Sequence, residues 1–308
     1  MEQYPKNFIE FEKQFTSDDT CRDYLFQVRW PDGFQCPQCQ GQEFWKTSRQ
    51  LYHCENCGHQ TSVTAGTIFQ DTRYPLKIWF MAIWHVVSQK NGISALGLQR
   101  VLGFTRHQTA WKWLHRLRIA MVRPDRDRLS GVVEVDEAYI GGKNKGKRGR
   151  GAEGKSLVFI AAEDKDGHIG RVRLCLIPDA SEKSLMPAIS STVASGSIVR
   201  SDGWKGYINL SSKGYQHDVI RQSADIGENL LPLVHIAISL LKRWLLGTHQ
   251  GAVHKSHLEY YLDEFTFRFN RRTSRSRGKL FYRLIQQTVA TDPGKARNHV
   301  SSLDIVVT

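Results

Sequence analysis

Hydrophobic and polar positions change period along this chain, and the changes divide it into segments. From residue 1 to about 20, Phe and Tyr alternate with acids, which predicts a helical lead-in. Glu43–Tyr52 (EFWKTSRQLY) reads as a short hairpin. Pro75–Gln89 carries aromatic and aliphatic residues at helical spacing. Gly92–Gly103 and Thr105–Met121 then predict helix, turn at Gly103 and helix, with Thr105 as N-cap. From Leu129 onward the pattern is that of strands. Val132–Ile140 and Leu157–Glu163 are read as alternating, and Ile169–Ile177 follows the turn Asp166-Gly167. Ser181–Val193 reads as a helix opened by Ser181, and Ser197–Ser201 as a short strand. A further strand near His217–Arg221 precedes an apolar helix over Leu230–Leu246. Three hairpin-linked strands, a helix, a strand and then helices make a mixed sheet with flanking helices, an α/β layer architecture.

Composition narrows the partners. The 308 residues are 40% apolar and 24% charged, an ordinary globular balance. Lys and Arg number 43 against 30 acids, a net charge of +13, which makes a polyanion the default partner. Ribosomal and membrane-surface proteins share such a balance. No apolar run approaches the ~20 residues of a membrane span, and the polar start MEQYPKNFIEFEKQF has no signal-peptide core. The expected location is the cytoplasm, in association with the nucleoid.

The cysteines are more specific. Cys36-Pro-Gln-Cys39 and Cys54-Glu-Asn-Cys57 are two CxxC pairs with fourteen residues between them. Such knuckles offer four thiolates to one tetrahedral zinc ion, and a closed four-thiolate site is structural rather than catalytic. A reducing cytoplasm argues against paired disulfides. Cys21 and Cys175 stand alone and are expected to be buried.

Basic residues cluster in three places. The predicted helix after Gly103 carries Arg106, Lys112, Arg116 and Arg118 among Trp111, Trp113 and Leu114. This is either the second helix of a helix-turn-helix that enters DNA or a helical hairpin with a solvated basic face. Lys143–Lys155 holds Lys143, Lys145, Lys147, Arg148 and Arg150, and Arg268–Arg283 holds seven basic residues, Arg271 and Arg272 among them. Both stretches are expected to hold DNA phosphates. Gly149–Ser156 satisfies GxxxxGK[ST], but a phosphate-cradling loop must leave a strand and open a helix. Here a basic loop precedes it and an apolar strand follows.

Acids inside an apolar strand are costly unless they face water or a cation. Asp136 lies in the first core strand, flanked by Glu134 and Glu137, and Asp202 ends the fourth strand beside Gly203. If those strands are neighbours the two aspartates converge, and a divalent cation relieves their repulsion. The following helix supplies His235 and, seven residues on, Lys242. Both share one helical face, about 10.5 Å apart along the axis. Glu228 is the rival third ligand, and the plain alternative for His235 is a satisfied core histidine.

With these residues quoted, nearly the whole chain resembles the DDE transposases of insertion sequences that carry an N-terminal zinc ribbon, the ISXO-type group. The carriers are the double CxxC, Val135–Lys143 (VDEAYIGGK), Ser201–Tyr207 (SDGWKGY), Leu241–His249 (LKRWLLGTH) and Tyr261–Arg272 (YLDEFTFRFNRR). The resemblance implies a ribonuclease-H-like core at 129–290, after a lead-in at 1–28, a zinc ribbon at 29–70 and a helix-turn-helix region at 71–128, with a tail at 291–308. It implies a catalytic triad of Asp136, Asp202 and His235 holding Mg²⁺ or Mn²⁺, with Lys242 on a phosphate. Relatives often carry Asn where Leu240 stands. The implied activity is two-metal DNA cleavage and strand transfer at terminal inverted repeats, by a homo-oligomer on DNA, with no membrane partner. The alternatives are an inactive or domesticated DNA-binding protein and a nuclease that cleaves without joining.

Overall fold

The computed structural model describes residues 3–123, 126–141, 155–220, 230–251, 253–292 and 294. In chain order the elements are α1 (Phe8–Gln14), α2 (Asp18–Arg29), β1 (Phe44–Lys46), β2 (Tyr52–Cys54), β3 (Gln60–Thr61), α3 (Leu76–Ser88), α4 (Ala95–Leu102) and α5 (His107–Ala120). There follow β4 (Val132–Ile140), β5 (Ser156–Lys165), β6 (His168–Ile177), α6 (Glu182–Thr192), β7 (Ile198–Ser201), β8 (Gln216–Val219), α7 (Pro232–His249), α8 (Lys255–Phe269) and α9 (Arg277–Ala290). They fall into two compact units, one of residues 1–123 and 274–308, the other of 124–273. Among the described residues, no helix is long and apolar enough to cross a membrane.

In the first unit, α1 and α2 start where polar side chains satisfy free amides. Asn7 accepts from the Glu10 amide, and Ser17 and Thr20 form a reciprocal capping box. Phe11, Phe15, Phe80 and Phe281 are fully buried and meet edge to face, with Phe15–Phe80 centroids 5.0 Å apart and Phe11–Phe281 5.5 Å apart. The lead-in, ribbon and helical segments, expected as separate domains, fall in one compact unit. Helix α9, expected within a core running to residue 290, packs against α2, α3 and α5, because Phe281, Leu284 and Ile285 have their apolar partners there. The turn at Gly103 is as expected: it ends α4 at φ +67°, a left-handed conformation that glycine adopts without strain. The cap of α5 is not Thr105 but Arg106, which makes no side-chain capping bond.

The second unit holds a five-stranded sheet of order β6-β5-β4-β7-β8. Strands β4, β5 and β6 run antiparallel, while β7 lies parallel to β4 and β8 parallel to β7. Helices cover both faces. Ala138, Ile140, Val158 and Ile160 pack with α7 and α8 on one side, and Val133, Val135, Phe159 and Ala161 pack with α6 on the other. Strand β5 departs from the expected alternation. Every residue from Ser156 to Glu163 is buried, because a central strand covered on both faces has no solvent side. That Ser156 opens a strand also removes the helix a phosphate-cradling loop needs; of the motif's other residues, 149–154 lie outside the described set.

Phe281→Ala is expected to destabilise the protein by about 3–5 kcal/mol, the cost of truncating a buried ring that cannot be refilled. Urea unfolding measures it; a loss under about 1 kcal/mol would mean that α9 is not part of this core.

Candidate functional site

The four cysteines are brought together by a small antiparallel sheet. Phe44 pairs with Cys54 and Lys46 with Tyr52, so the expected hairpin forms as β1 and β2. Each knuckle folds back by backbone bonds, Gln40 to Cys36 in the first and Gly58 to Cys54 in the second, both through a residue with positive φ. The Sγ atoms of Cys36 and Cys57 lie 3.7 Å apart, and those of Cys39 and Cys54 3.5 Å apart. Tetrahedral zinc at about 2.3 Å from sulfur sets its ligands about 3.8 Å apart. The donor set and spacing therefore fit structural zinc. Among the described residues, this is the one set of three or more His, Cys, Asp or Glu ligand atoms all within 4.8 Å of one another. The sheet leans through rings on α2 and the segment after it, with Phe26–Tyr52 4.9 Å and Phe34–Phe44 4.7 Å apart. Cys21 and Cys175 take no part. Burial pushes their thiols up to about 12 and about 11, so neither is a nucleophile.

The carboxylate site is built on β4. Its two-residue period turns Glu134, Asp136 and Ala138 toward α7, and Val133, Val135 and Glu137 toward α6. The parallel register pairs Val132 with Ile198 and Glu134 with Arg200. Asp202 follows Ser201, the last residue of β7, and its charge acts on Asp136. His235, in the first turn of α7, brings Nε2 to 3.3 Å from Asp136 Oδ2. The Asp136 carboxyl is held above its usual range, first by burial and also by the Asp202 charge, while the Glu137 amide and His235 oppose that rise. Asp202 accepts the Trp204 amide at 2.9 Å, and the intervening Gly203 has φ +76°. Asp136, Asp202 and His235 do not all fall within the 4.8 Å spacing that the cysteines meet.

A family description, the ISXO2-like transposase domain, matches residues 128–270, and the transposase zinc-ribbon domain of the same group matches residues 16–60. A relative described as an uncharacterized protein in transposable element ISH50, from Halobacterium salinarum, is 28% identical over 313 positions. That alignment spans 90% of this chain and 98% of the relative. The chain carries the two domains of an ISXO2-like transposase with an N-terminal zinc ribbon.

The residues expected to touch DNA in this transposase fare differently. Arg106 is exposed, and Lys112 and Arg116 are half-buried on α5. Arg118, read as part of the same basic face, is only 2% exposed. Helix α5 buries Trp113, Leu114 and Leu117 around it, and Trp113 stacks on Trp79 at 3.5 Å. Arg271 and Arg272 lay their guanidinium groups over Phe267 and Phe269, at 4.2 and 4.1 Å. Arg272 also donates to the carbonyls of Gly170 and Ile169, and Arg271 to that of Phe267. Arg272 thus supports the edge of β6. Arg268 in the same stretch pairs with buried Glu264 at 2.8 Å. Lys143, Lys145, Lys147, Arg148 and Arg150 lie outside the described residues, as does Glu228. Lys242 is exposed on α7, and Leu240 packs against the apolar cluster beneath that helix, which accounts for an aliphatic residue there.

Five groups around the site, Glu134, Glu137, Tyr207, Ser201 and His217, were given no role by sequence reasoning. Glu134 Oε2 accepts the Leu233 and Val234 amides at 2.8 and 3.0 Å. The buried Tyr207 hydroxyl donates to Glu137 Oε1, tying the segment after Asp202 to β4. Ser201 Oγ accepts the Gly203 amide at 3.2 Å and is hydrogen-bonded to His217 Nε2 at 2.9 Å. The one available signal was the clustering of Glu134 and Glu137 about Asp136 in an otherwise apolar strand.

Metal analysis of the purified transposase is expected to find one zinc per chain. Cys54→Ser should lose it and melt the ribbon, whereas full zinc retention in that variant would contradict the four-thiolate site. Tyr207→Phe removes the hydroxyl donor from Glu137 and is expected to cost about 1–3 kcal/mol in urea unfolding; an unchanged midpoint would show that the bond does not hold the Asp202 segment.

Proposed function

We propose that this transposase binds the terminal inverted repeats of an insertion sequence and catalyses divalent-cation-dependent DNA cleavage and strand transfer on a ribonuclease-H-like core. The observation that carries the reading is the contact of Asp136 with His235, 3.3 Å apart, under the charge of Asp202, which follows the end of the neighbouring strand. Two cis ligands about 2.1 Å from an octahedral cation stand about 3.0 Å apart, so this pair suits one shared ion. The strand order β6-β5-β4-β7-β8, with three antiparallel strands, two parallel ones and helices on both faces, supports the fold assignment.

Asp136, Asp202 and His235 would hold the divalent cations. Bound there, the cations would supply the positive charge that activates water or a 3′-hydroxyl and stabilises the leaving oxygen of an in-line displacement at phosphorus. A neutral imidazole in place of a third carboxylate lowers the charge of the ligand set and suits manganese better than magnesium. Lys242, on the same face of α7 as His235, takes a DNA phosphate. The ribbon, with α4 and α5 as a helix-turn-helix, recognises the repeats, using Arg106, Lys112 and Arg116. Lys143, Lys145, Lys147, Arg148 and Arg150 bind backbone phosphates. Joining two ends calls for a homo-oligomer on DNA, acting in the cytoplasm on the nucleoid.

Incubation of the full chain with a terminal-repeat DNA end and Mg²⁺ or Mn²⁺ tests this reading. The expected products are a strand end with a free 3′-hydroxyl and joined target DNA. Asp136→Ala, Asp202→Ala and His235→Ala should each lower cleavage by at least about a hundredfold. DNA binding without cleavage in the wild type would instead identify a non-catalytic DNA-binding protein, and cleavage without joining a nuclease. Full activity in His235→Ala alongside loss in Glu228→Ala would move the third ligand to Glu228.

A further inference from the structure

Helix α7 begins without a cap of its own. Its N-cap residue is Leu231, which has no side-chain acceptor, and Pro232 at the first helical position has no N–H. The first amides that need a partner are those of Leu233 and Val234, and both are buried. Glu134 reaches across from β4 and accepts both through one oxygen, Oε2. It is 1% exposed, and a carboxylate there also lies at the positive end of the helix dipole.

The position of this bond matters more than its strength. Glu134 and Asp136 are two residues apart on one face of β4, and Val234 and His235 are consecutive on α7. The contact between strand and helix is therefore made twice in adjacent places, once by Glu134 with the helix amides and once by Asp136 with His235. Apolar packing of Leu233, Val234 and Ala237 holds the helix against the sheet but is non-directional. Two hydrogen bonds to one oxygen fix the rotation and axial position of the first turn, and with them the direction of the His235 ring. Glu134 is itself unsuited as a cation ligand, since its bonded oxygen is taken by two amides in a buried setting.

We propose that Glu134 is a positioning residue of the cation site, setting divalent-cation affinity through His235 by docking the first turn of α7 on β4. The proposal rests on the reading of Asp136, Asp202 and His235 as cation ligands. It is tested on the full chain by Mn²⁺ titration, with free Mn²⁺ followed by electron paramagnetic resonance, and by the ring N–H signals of His235 in metal-free protein. The His235→Ala variant identifies those signals by their absence. Glu134→Ala is expected to weaken Mn²⁺ binding by at least about tenfold, the usual scale for a group that orients a ligand, and to shift the His235 ring signals. Glu134→Gln keeps an acceptor oxygen at the same reach and should restore both. Glu134→Asp, one methylene too short, should behave like Glu134→Ala and carries the test if the alanine variant does not fold. The double variant Glu134→Ala/His235→Ala should bind Mn²⁺ no more weakly than His235→Ala alone. Wild-type ring signals in both Glu134→Ala and Glu134→Asp would overturn the proposal. So would a double variant whose loss is the product of the two single losses, because Glu134 would then act independently of His235. A wild type that binds no Mn²⁺ defeats the cation-site reading and with it the role in affinity, while shifted ring signals in the metal-free variants would still show the docking of His235.

Discussion

The pleat of one nine-residue strand is the constraint on which the second unit depends. Successive side chains of β4 point to opposite faces, so its three acids are divided between the layers that sandwich the sheet. Glu134 and Asp136 face α7, and Glu137 faces Tyr207. An acid inside a buried strand is costly unless its charge is matched by donors. The structure meets that demand by making each carboxylate a fastening point: Glu134 for the helix that carries His235, Glu137 for the segment that follows Asp202, and Asp136 for the imidazole itself. Satisfying the acids of β4 and docking α7 and Tyr207 on that strand are therefore the same event. The parallel pairing of β4 with β7 leads the chain on to Asp202, whose charge acts on Asp136.

The first unit is held by different physics. Its sheet has three strands of two or three residues each, too little to bury a core. Four thiolates at zinc-ligand spacing close one side, and the rings of Phe26, Trp30 and Phe34 on and after α2 support the other. Elsewhere in that unit, edge-to-face aromatic contacts tie α1 and α3 to α9, and a tilted Tyr24–Phe281 pair adds α2. Aromatic rings bury much area for little loss of side-chain freedom, which suits a unit assembled from short, distant segments.

Positive charge in this transposase is less available than its count suggests. The net charge of +13 points to a polyanion, yet several arginines are engaged internally. Arg118 is buried, Arg268 neutralises Glu264, and Arg272 donates to the carbonyls of β6 while lying over Phe269. A guanidinium has five donors and a flat apolar face, so it serves equally well as an edge support or a phosphate contact. Sequence counting does not separate the two uses.

By itself the sequence determined the elements and the metal ribbon. The CxxC spacing and the hairpin between the knuckles, the strand at Val132–Ile140, the left-handed turn at Gly103 and the helix bearing His235 are all set by neighbours a few residues apart, through periodicity, capping and ligand geometry. Only the tertiary structure decided which distant groups meet. Nothing local ties Phe281 to Phe11, gives Leu231 its missing cap from Glu134 or directs Arg272 to the carbonyls of β6. Nor does local pattern tell a strand buried on both faces, such as β5, from one half-exposed. Those outcomes follow from which apolar faces must cover one another and which buried donors must find acceptors, conditions met only once the layers have packed.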